Sequence, residues 1–138
     1  MGNLQKALSQ DVYKKLYVKA LEVRKNAYAP FSGFKVGAAL LTDDGSIYTG
    51  VNIENSSYGA TICAERTAFV KAISEGHRGF KALAVTAGSD QEALPCGICR
   101  QFMYEFSPKM EVVTGTDTEH LNVRTLEELL PLGFRLEK

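Results

Sequence analysis

The sequence carries no net charge, because 16 lysines and arginines balance 16 aspartates and glutamates. A chain without a field of one sign has little attraction for nucleic acid or for an anionic membrane surface. No apolar run reaches the length of about 18 residues that a membrane span needs, and residues 1–6 (MGNLQK) lack the basic-then-apolar pattern of a secretory signal. We therefore expect a soluble, cytoplasmic protein with a small neutral ligand and with neither nucleic-acid nor membrane partners.

Cysteine is also scarce, with three residues in the chain. An odd number of cysteines argues against a disulfide framework and favours reduced thiols kept for metal binding or catalysis. The 138 residues, 45% of them hydrophobic, suffice for one compact core. The sequence therefore predicts a single domain over residues 1–138.

The spacing of apolar residues predicts the element order α-β-β-α-β-α-β-α. Helices are predicted at 9–26, 61–75, 95–106 and 125–130, and strands at 36–41, 47–53, 82–87 and 111–114. Asp44 and Gly45 form a turn signal between the first two strands, and Thr125 is a candidate helix cap with Glu128 three residues later. A hairpin followed by alternating strands and helices predicts a mixed sheet with helices on its faces, an α/β layer structure.

All three cysteines fall at predicted helix starts, Cys63 in one helix and Cys96 with Cys99 in the next. Free N–H groups and the helix dipole stabilise thiolates there. Three thiolates leave one tetrahedral position of a zinc ion open, which is typical of catalytic rather than structural zinc. His77 and His120 have no partner at ligand spacing, so we do not expect either to close the site.

Glu65 lies two residues after Cys63 and can reach a water molecule on the metal without binding the metal itself. Zinc lowers the pKa of bound water toward about 7, so Glu65 can take that proton while the hydroxide attacks a ring carbon, and then protonate the ring nitrogen and departing ammonia. Three thiolates and Zn²⁺ sum to one negative charge. Arg66 is the candidate to offset it by donating to the sulfurs.

Residues 63–68 (CAERTA) and 95–101 (PCGICRQ) resemble the small cytidine deaminases of the homotetrameric type, and the similarity extends from about 27 to 134. The three-cysteine ligand set and the non-ligating glutamate are general features of zinc deaminases. The resemblance implies a three-layer cytidine deaminase-like fold, with a mixed five-stranded sheet and helices on both faces. It also implies one Zn²⁺ per subunit, shared active sites in a homotetramer, and deamination of cytidine and 2′-deoxycytidine in pyrimidine salvage.

The same resemblance implies substrate contacts. Asn52 and Glu54 would bind the 3′-hydroxyl of the ribose, and alternation along a strand places both on one face. Further expected contacts come from Phe34, Tyr58, Ala64 and, out of a neighbouring subunit, Phe134, with Gln101 supporting the groups around the metal ligands. Leu94 and Ile98 depart from the family's usual residues, but neither position supplies a ligand.

Other functions stay open at this point. A non-catalytic module with structural zinc predicts a fourth protein ligand and leaves Glu65 without a role. A redox protein would use Cys96 and Cys99 and leave Cys63 without one. Blasticidin-type deaminases lack the Asn-x-Glu-Asn of residues 52–55, and polynucleotide editors generally begin the first motif with histidine and need a basic surface.

Overall fold

The structure, a computed structural model, describes residues 8–138. The strands are β1 (Gly37–Thr42), β2 (Ile47–Val51), β3 (Phe80–Thr86), β4 (Glu111–Asp117) and β5 (His120–Thr125). The helices are α1 (Gln10–Val23), α2 (Ala64–Ser74), α3 (Gly97–Tyr104) and α4 (Leu126–Leu129), with short 3₁₀ turns at Arg24–Asn26 and Tyr58–Ala60.

The five strands form one mixed sheet in the order β2-β1-β3-β4-β5. Strand β1 pairs antiparallel with β2 and β3, β3 pairs parallel with β4, and β4 pairs antiparallel with β5. A parallel pair needs a crossover connection, and α3 lies in the one that joins β3 to β4. This topology brings the start of α3 close to the C-terminal end of β3.

Helices cover both faces of the sheet. On one face, Phe69 of α2 and Met103 of α3 pack with Leu40, Leu83 and Val112. On the other face α1 packs against small side chains, which allow its close approach; the core there includes Tyr13, Leu16, Ala20, Ala39, Ala82 and Ala84. The expected three-layer α/β fold with a mixed five-stranded sheet is confirmed.

Two helices begin at side-chain caps, and the cap at Thr125 was predicted. The Ser9 hydroxyl oxygen accepts from the Val12 N–H at 3.3 Å at the start of α1. At α4 the Thr125 hydroxyl oxygen accepts from the Glu128 N–H, while the Glu128 carboxylate accepts from the Thr125 N–H at 2.7 Å. This reciprocal capping box satisfies two backbone donors that would otherwise be free.

Several element boundaries differ from the prediction. Strand β5 was not predicted from periodicity, because Leu121 and Val123 are its only aliphatic side chains and polar residues separate them. Strand β2 ends at Val51, so residues 52–54 lie beyond it. Helices α2 and α3 begin later than predicted, since Cys63 and Cys96 adopt extended backbone angles and act as N-caps.

Candidate active site

The three cysteines meet where α2 and α3 begin. Cys63 is the N-cap of α2, Cys96 is the N-cap of α3, and Cys99 lies in the first turn of α3. Both helices pack on the same face of the sheet, so their N-termini are neighbours. The Sγ atoms of Cys63 and Cys96 are 3.8 Å apart, and all three Sγ atoms lie within 4.8 Å of one another.

This cluster fits a zinc ion. Two sulfurs that each lie about 2.3 Å from one tetrahedral zinc are about 3.8 Å apart, which matches the distance between Cys63 and Cys96. Among residues 8–138, the cluster able to hold a metal contains these cysteines and no fourth side chain. His77 instead contacts the Tyr48 hydroxyl, and His120 contacts the Asp117 carboxylate.

A hydrogen bond between Cys63 and Cys99 shifts the pKa values of the two thiols in opposite directions. A hydrogen bond from Cys99 is the main influence that lowers the pKa of Cys63 to about 5, and Arg66 adds to the effect. The same hydrogen bond, together with burial, raises the pKa of Cys99. The cluster therefore favours a thiolate at neutral pH, and a bound dication would take the place of the remaining thiol protons.

Arg66 lies beside this cluster. Its Nη2 atom is 3.6 Å from the Cys63 sulfur and 3.5 Å from the Thr61 carbonyl oxygen. Its Nε atom is buried and has no hydrogen-bond partner in the described part of the chain. The guanidinium thus brings a fixed positive charge and an unused donor to a cluster in which Cys63 is the favoured thiolate.

Glu65 occupies the first turn of α2, next to Cys63, and is only 4% exposed. Burial is the main cause that raises the pKa of Glu65 to about 7, and the negative charge of Cys63 adds to it. The Glu65 backbone N–H and Arg66 act in the opposite direction. A carboxyl group that titrates near neutral pH can both accept and donate a proton.

Asn52 and Glu54, just beyond β2, both bind the segment 31–36. The Asn52 side chain donates to the Phe34 carbonyl oxygen at 2.8 Å and accepts from the Val36 N–H at 2.8 Å. The Glu54 carboxylate accepts from the backbone N–H of Phe31 at 2.9 Å. It also accepts from the N–H and the hydroxyl of Ser32, which holds its pKa below the usual range.

A cleft of about 380 Å³ opens at this carboxylate, and its lining is Phe31, Ser32, Glu54, Asn55, Tyr58 and Thr61. Its volume lies in the range of about 300–1,000 Å³ typical of small-molecule sites. Thr61 joins the cleft to the metal cluster, because its carbonyl oxygen contacts Arg66 and Cys63 follows two residues later. A larger groove, of about 710 Å³, lies at the other end of β3, beside Phe80 and Lys81, and no cysteine lines it.

The remaining expected contacts differ in exposure. Ala64 is fully buried, whereas Phe34 is exposed and Tyr58 is 79% exposed with its ring edge against Phe31. Phe134 is 63% exposed, and its carbonyl oxygen accepts from the Gln101 side chain at 3.2 Å. The described chain therefore brings Gln101 to the backbone of Phe134.

Two residues of the site were missed in the sequence. Ser32 binds a carboxylate 22 positions away, and no spacing pattern marks such a contact. Arg100 donates from Nε to the Pro95 carbonyl oxygen and from Nη1 to the Leu129 carbonyl oxygen, both at 2.8 Å. Its position directly after Cys99 was the available signal, since a side chain there can bind the backbone that leads into Cys96.

Comparison with known proteins decides the family. The sequence matches the family model described as "Cytidine and deoxycytidylate deaminase zinc-binding region" over residues 10–116. The chain belongs to the cytidine deaminase family. It is accordingly an enzyme of this family, and its cofactor is Zn²⁺, for which the cluster of Cys63, Cys96 and Cys99 is a suitable site.

Individual relatives cover most of the chain. It is 49% identical over 125 residues to the cytidine deaminase of Sporosarcina psychrophila, covering 90% of this chain and 92% of the relative. It is 49% identical over 123 residues to the cytidine deaminase of Halalkalibacterium halodurans, covering 88% and 93%. The crystal structure of the cytidine deaminase from Burkholderia pseudomallei superposes with a TM-score of 0.82 at 45% identity, covering 87% of this chain and 97% of that one.

A membrane-spanning helix has to be both long and apolar. Within residues 8–138, no helix of this enzyme combines the length and the apolar character needed to cross a bilayer.

Proposed function

We propose that this enzyme hydrolyses cytidine and 2′-deoxycytidine to uridine and 2′-deoxyuridine and releases ammonia. The observation that carries the proposal is the convergence of three cysteine sulfurs with a buried glutamate, Glu65, whose pKa is raised to about 7. The three relatives described above are named cytidine deaminases, which favours the same substrate.

Cys63, Cys96 and Cys99 are the proposed ligands of one Zn²⁺ per subunit. When bound, zinc supplies a Lewis acid that makes a water molecule acidic near neutral pH. Three protein ligands leave a coordination position free for chemistry, as catalytic zinc sites do. This ligand count favours an enzyme over a module that uses zinc only as a structural support.

Glu65 is the proposed proton carrier. The reaction adds the oxygen of one water molecule to C4 of the cytosine ring and breaks the bond from C4 to the exocyclic nitrogen. Glu65 takes a proton from water and delivers it to N3 of the ring. It then moves the second proton of that water, carried by the oxygen now bonded to C4, to the departing nitrogen, which leaves as ammonia. Its burial keeps competing water away from the carboxyl group during these transfers.

Arg66 is proposed to offset the charge of the cluster, given its contact with the Cys63 sulfur. Ala64 lies between Cys63 and Glu65 and is fully buried, and it is proposed as a substrate contact because of the family resemblance. Gln101 is proposed to support the groups around the metal ligands. Its side chain donates to the Phe134 carbonyl oxygen.

The ribose is proposed to bind at Asn52 and Glu54, with both side chains contacting its 3′-hydroxyl. Both side chains already hydrogen-bond to the backbone of segment 31–36. Phe34 and Tyr58 present exposed rings that can pack on the nucleoside. Phe134 is proposed to complete the site of a neighbouring subunit in a homotetramer. The open form of the cleft and the exposure of this ring support the assembly.

We further propose that the chain is a single-domain cytoplasmic enzyme of pyrimidine salvage. Its three cysteines are free thiols, and the reducing cytoplasm is the compartment that keeps such thiols available for metal. The hydrolysis itself returns a uracil nucleoside, which is the product expected of a salvage step.

The test combines turnover with metal content. Purified wild-type protein should convert cytidine to uridine, followed by ultraviolet absorbance, and a zinc chelator should abolish the conversion. Glu65→Gln should lower kcat by about 10²–10⁴-fold and still contain one zinc per chain by atomic absorption. Glu75→Gln, at the exposed end of the same helix, is the control and should keep wild-type activity.

Two results would contradict the proposal. Full turnover by zinc-loaded Glu65→Gln would remove Glu65 from the chemistry. No turnover of either nucleoside by fully metallated wild-type protein would remove the proposed substrates.

A further inference from the structure

Residues 87–96, which we term the 87–96 segment, join β3 to α3 without forming a helix or strand. The segment ends at Cys96, so its path sets the position of that sulfur. At its start, the Ala87 carbonyl oxygen accepts from Arg24 Nε at 2.6 Å and the Gly88 N–H donates to the Thr86 hydroxyl at 2.9 Å. At its end, Arg100 holds the Pro95 carbonyl oxygen at 2.8 Å.

One side chain, that of Glu92, ties down the middle of the segment. Its Oε2 atom accepts from the Thr114 hydroxyl, from Asn122 Nδ2 at 3.0 Å and from Arg124 Nη1 at 3.1 Å. Thr114 is a fully buried residue of β4, and Asn122 is its paired neighbour on β5. A single carboxylate oxygen thus attaches the segment to β4 and to the edge strand β5.

Other side chains of the segment make more local contacts. Within the described chain, the Ser89 hydroxyl bonds to the backbone of Gln91 inside the segment. Leu94, two residues before Cys96, is exposed. Without Glu92, residues 89–94 would therefore lose the side-chain bonds that connect them to the sheet.

We propose that Glu92 is a positioning residue of the metal centre, which holds Cys96 in place by fixing the 87–96 segment to β4 and β5. The inference rests on the proposed function of the cysteine cluster. Groups that orient metal ligands commonly change metal affinity by about 10- to 100-fold when they are removed. Glu92 acts through several residues of backbone, and Glu92 and Arg124 are both partly exposed, so the effect belongs at the lower end of that range.

The network also predicts how individual changes combine. Arg124 Nη1 donates to Glu92 Oε2 and also lies 3.1 Å from the Thr114 hydroxyl. Changes at Glu92 and Arg124 therefore break the same attachment, and the double variant should be only slightly worse than the Glu92 variant alone.

The experiment measures zinc release from the holoenzyme to a chromophoric chelator, at a temperature well below unfolding. Glu92→Ala should release zinc about tenfold faster than wild type, and Glu92→Gln should fall between the two because the amide keeps one acceptor oxygen. Glu119→Ala is the matched control, since Glu119 lies at the β4–β5 turn and its ion pair with Lys14 is exposed. It should release zinc at the wild-type rate.

Cytidine kinetics supply a second measurement, in which the activity of Glu92→Ala should depend on added zinc more steeply than that of wild type. Wild-type zinc release by both Glu92 variants would overturn the inference, as would equal acceleration by Glu119→Ala. Neither result touches the proposed function, which is tested separately by the turnover of metallated wild-type and Glu65→Gln enzyme. Zinc release needs no turnover, so the two failures remain distinguishable.

Discussion

At the scale of single residues, the hydrogen bonds of Glu54 orient its carboxylate within the proposed ribose site. A carboxylate has about four acceptor positions. Three are occupied by the Phe31 N–H, the Ser32 N–H and the Ser32 hydroxyl. One position remains for a substrate hydroxyl, and the two Ser32 bonds fix where it points.

Ser32→Ala should therefore raise KM for cytidine by roughly three- to tenfold, because removing one hydrogen bond to a charged group frees the Glu54 carboxylate to rotate. We expect kcat to stay within about twofold, since Ser32 lies outside the proton-transfer machinery. Steady-state kinetics on zinc-loaded protein measures both.

Ser9→Ala provides the control for this change. It removes the cap of α1 and should lower the free energy of unfolding by about 1 kcal/mol with no effect on KM. Equal KM values for Ser32→Ala and wild type would show that Ser32 does not orient Glu54.

At the scale of elements, α2 and α3 both begin at a cysteine that makes no side-chain cap hydrogen bond. Serine, threonine, aspartate and asparagine are the residues preferred at that position. At both helices, a cysteine able to bind metal occupies the position where a better capping residue would stabilise the helix. Their N-termini depend on the metal for part of the stability that a cap would otherwise supply.

Cys96→Ser should consequently have opposite effects with and without zinc. In metal-free protein, the serine caps α3 and should raise the free energy of unfolding by about 0.5–1 kcal/mol. With zinc at roughly a thousand times its dissociation constant, wild type should gain about 4 kcal/mol, and Cys96→Ser should gain much less. Urea unfolding with and without chelator measures the four values.

Ile98→Ser is the matched control, because Ile98 is exposed in the same helical turn and binds no metal. It should respond to zinc as wild type does. A zinc response in Cys96→Ser as large as that of wild type would exclude Cys96 as a ligand.

The elements also show what can be predicted from sequence. The cysteine and glutamate positions follow from spacing and from the chemistry of helix starts, so Cys63, Glu65 and Cys99 are identifiable from the order of residues alone. Strand β5 lies at the sheet edge and has half-exposed Leu121 and Val123, which gives a weak periodic signal. The contact of Glu54 with Ser32 depends on chain reversal between distant segments, and no local pattern carries that information.

At the scale of the whole molecule, the exposed aromatic rings include Tyr58, which lines the proposed cleft, and Phe134, which lies on the C-terminal segment whose backbone Gln101 of α3 binds. Large exposed rings are characteristic of surfaces that bind another molecule. The proposed homotetramer gives Phe134 such a partner, namely the site of a neighbouring copy.

Subunit mixing tests this arrangement. Phe134→Ala should lose about tenfold or more in kcat/KM, because the ring no longer packs on the substrate, and Glu65→Gln should be almost inactive. Mixed tetramers of the two variants contain some sites with both Glu65 and a neighbour's Phe134. The activity of the mixture should therefore exceed the summed activities of the two variants measured separately.

A mixture of Glu65→Gln with Glu65→Ala contains no site with the carboxylate and should stay inactive. Absence of any recovery in the first mixture, with mixed tetramers verified by mass, would place Phe134 in its own subunit's site or outside the site. A fully active monomer in sedimentation would exclude the shared site altogether.

The separation of the three ligands along the chain also has a consequence for biosynthesis. Cys63 and Cys96 are 33 positions apart, and Cys99 follows only after β3 and the 87–96 segment. A ribosome that has delivered α2 has therefore exposed one ligand, which by itself is a poor competitor for cellular zinc. Metal loading has to wait until α3 has emerged and β3 has joined the sheet, so the supply of zinc acts on an almost finished chain.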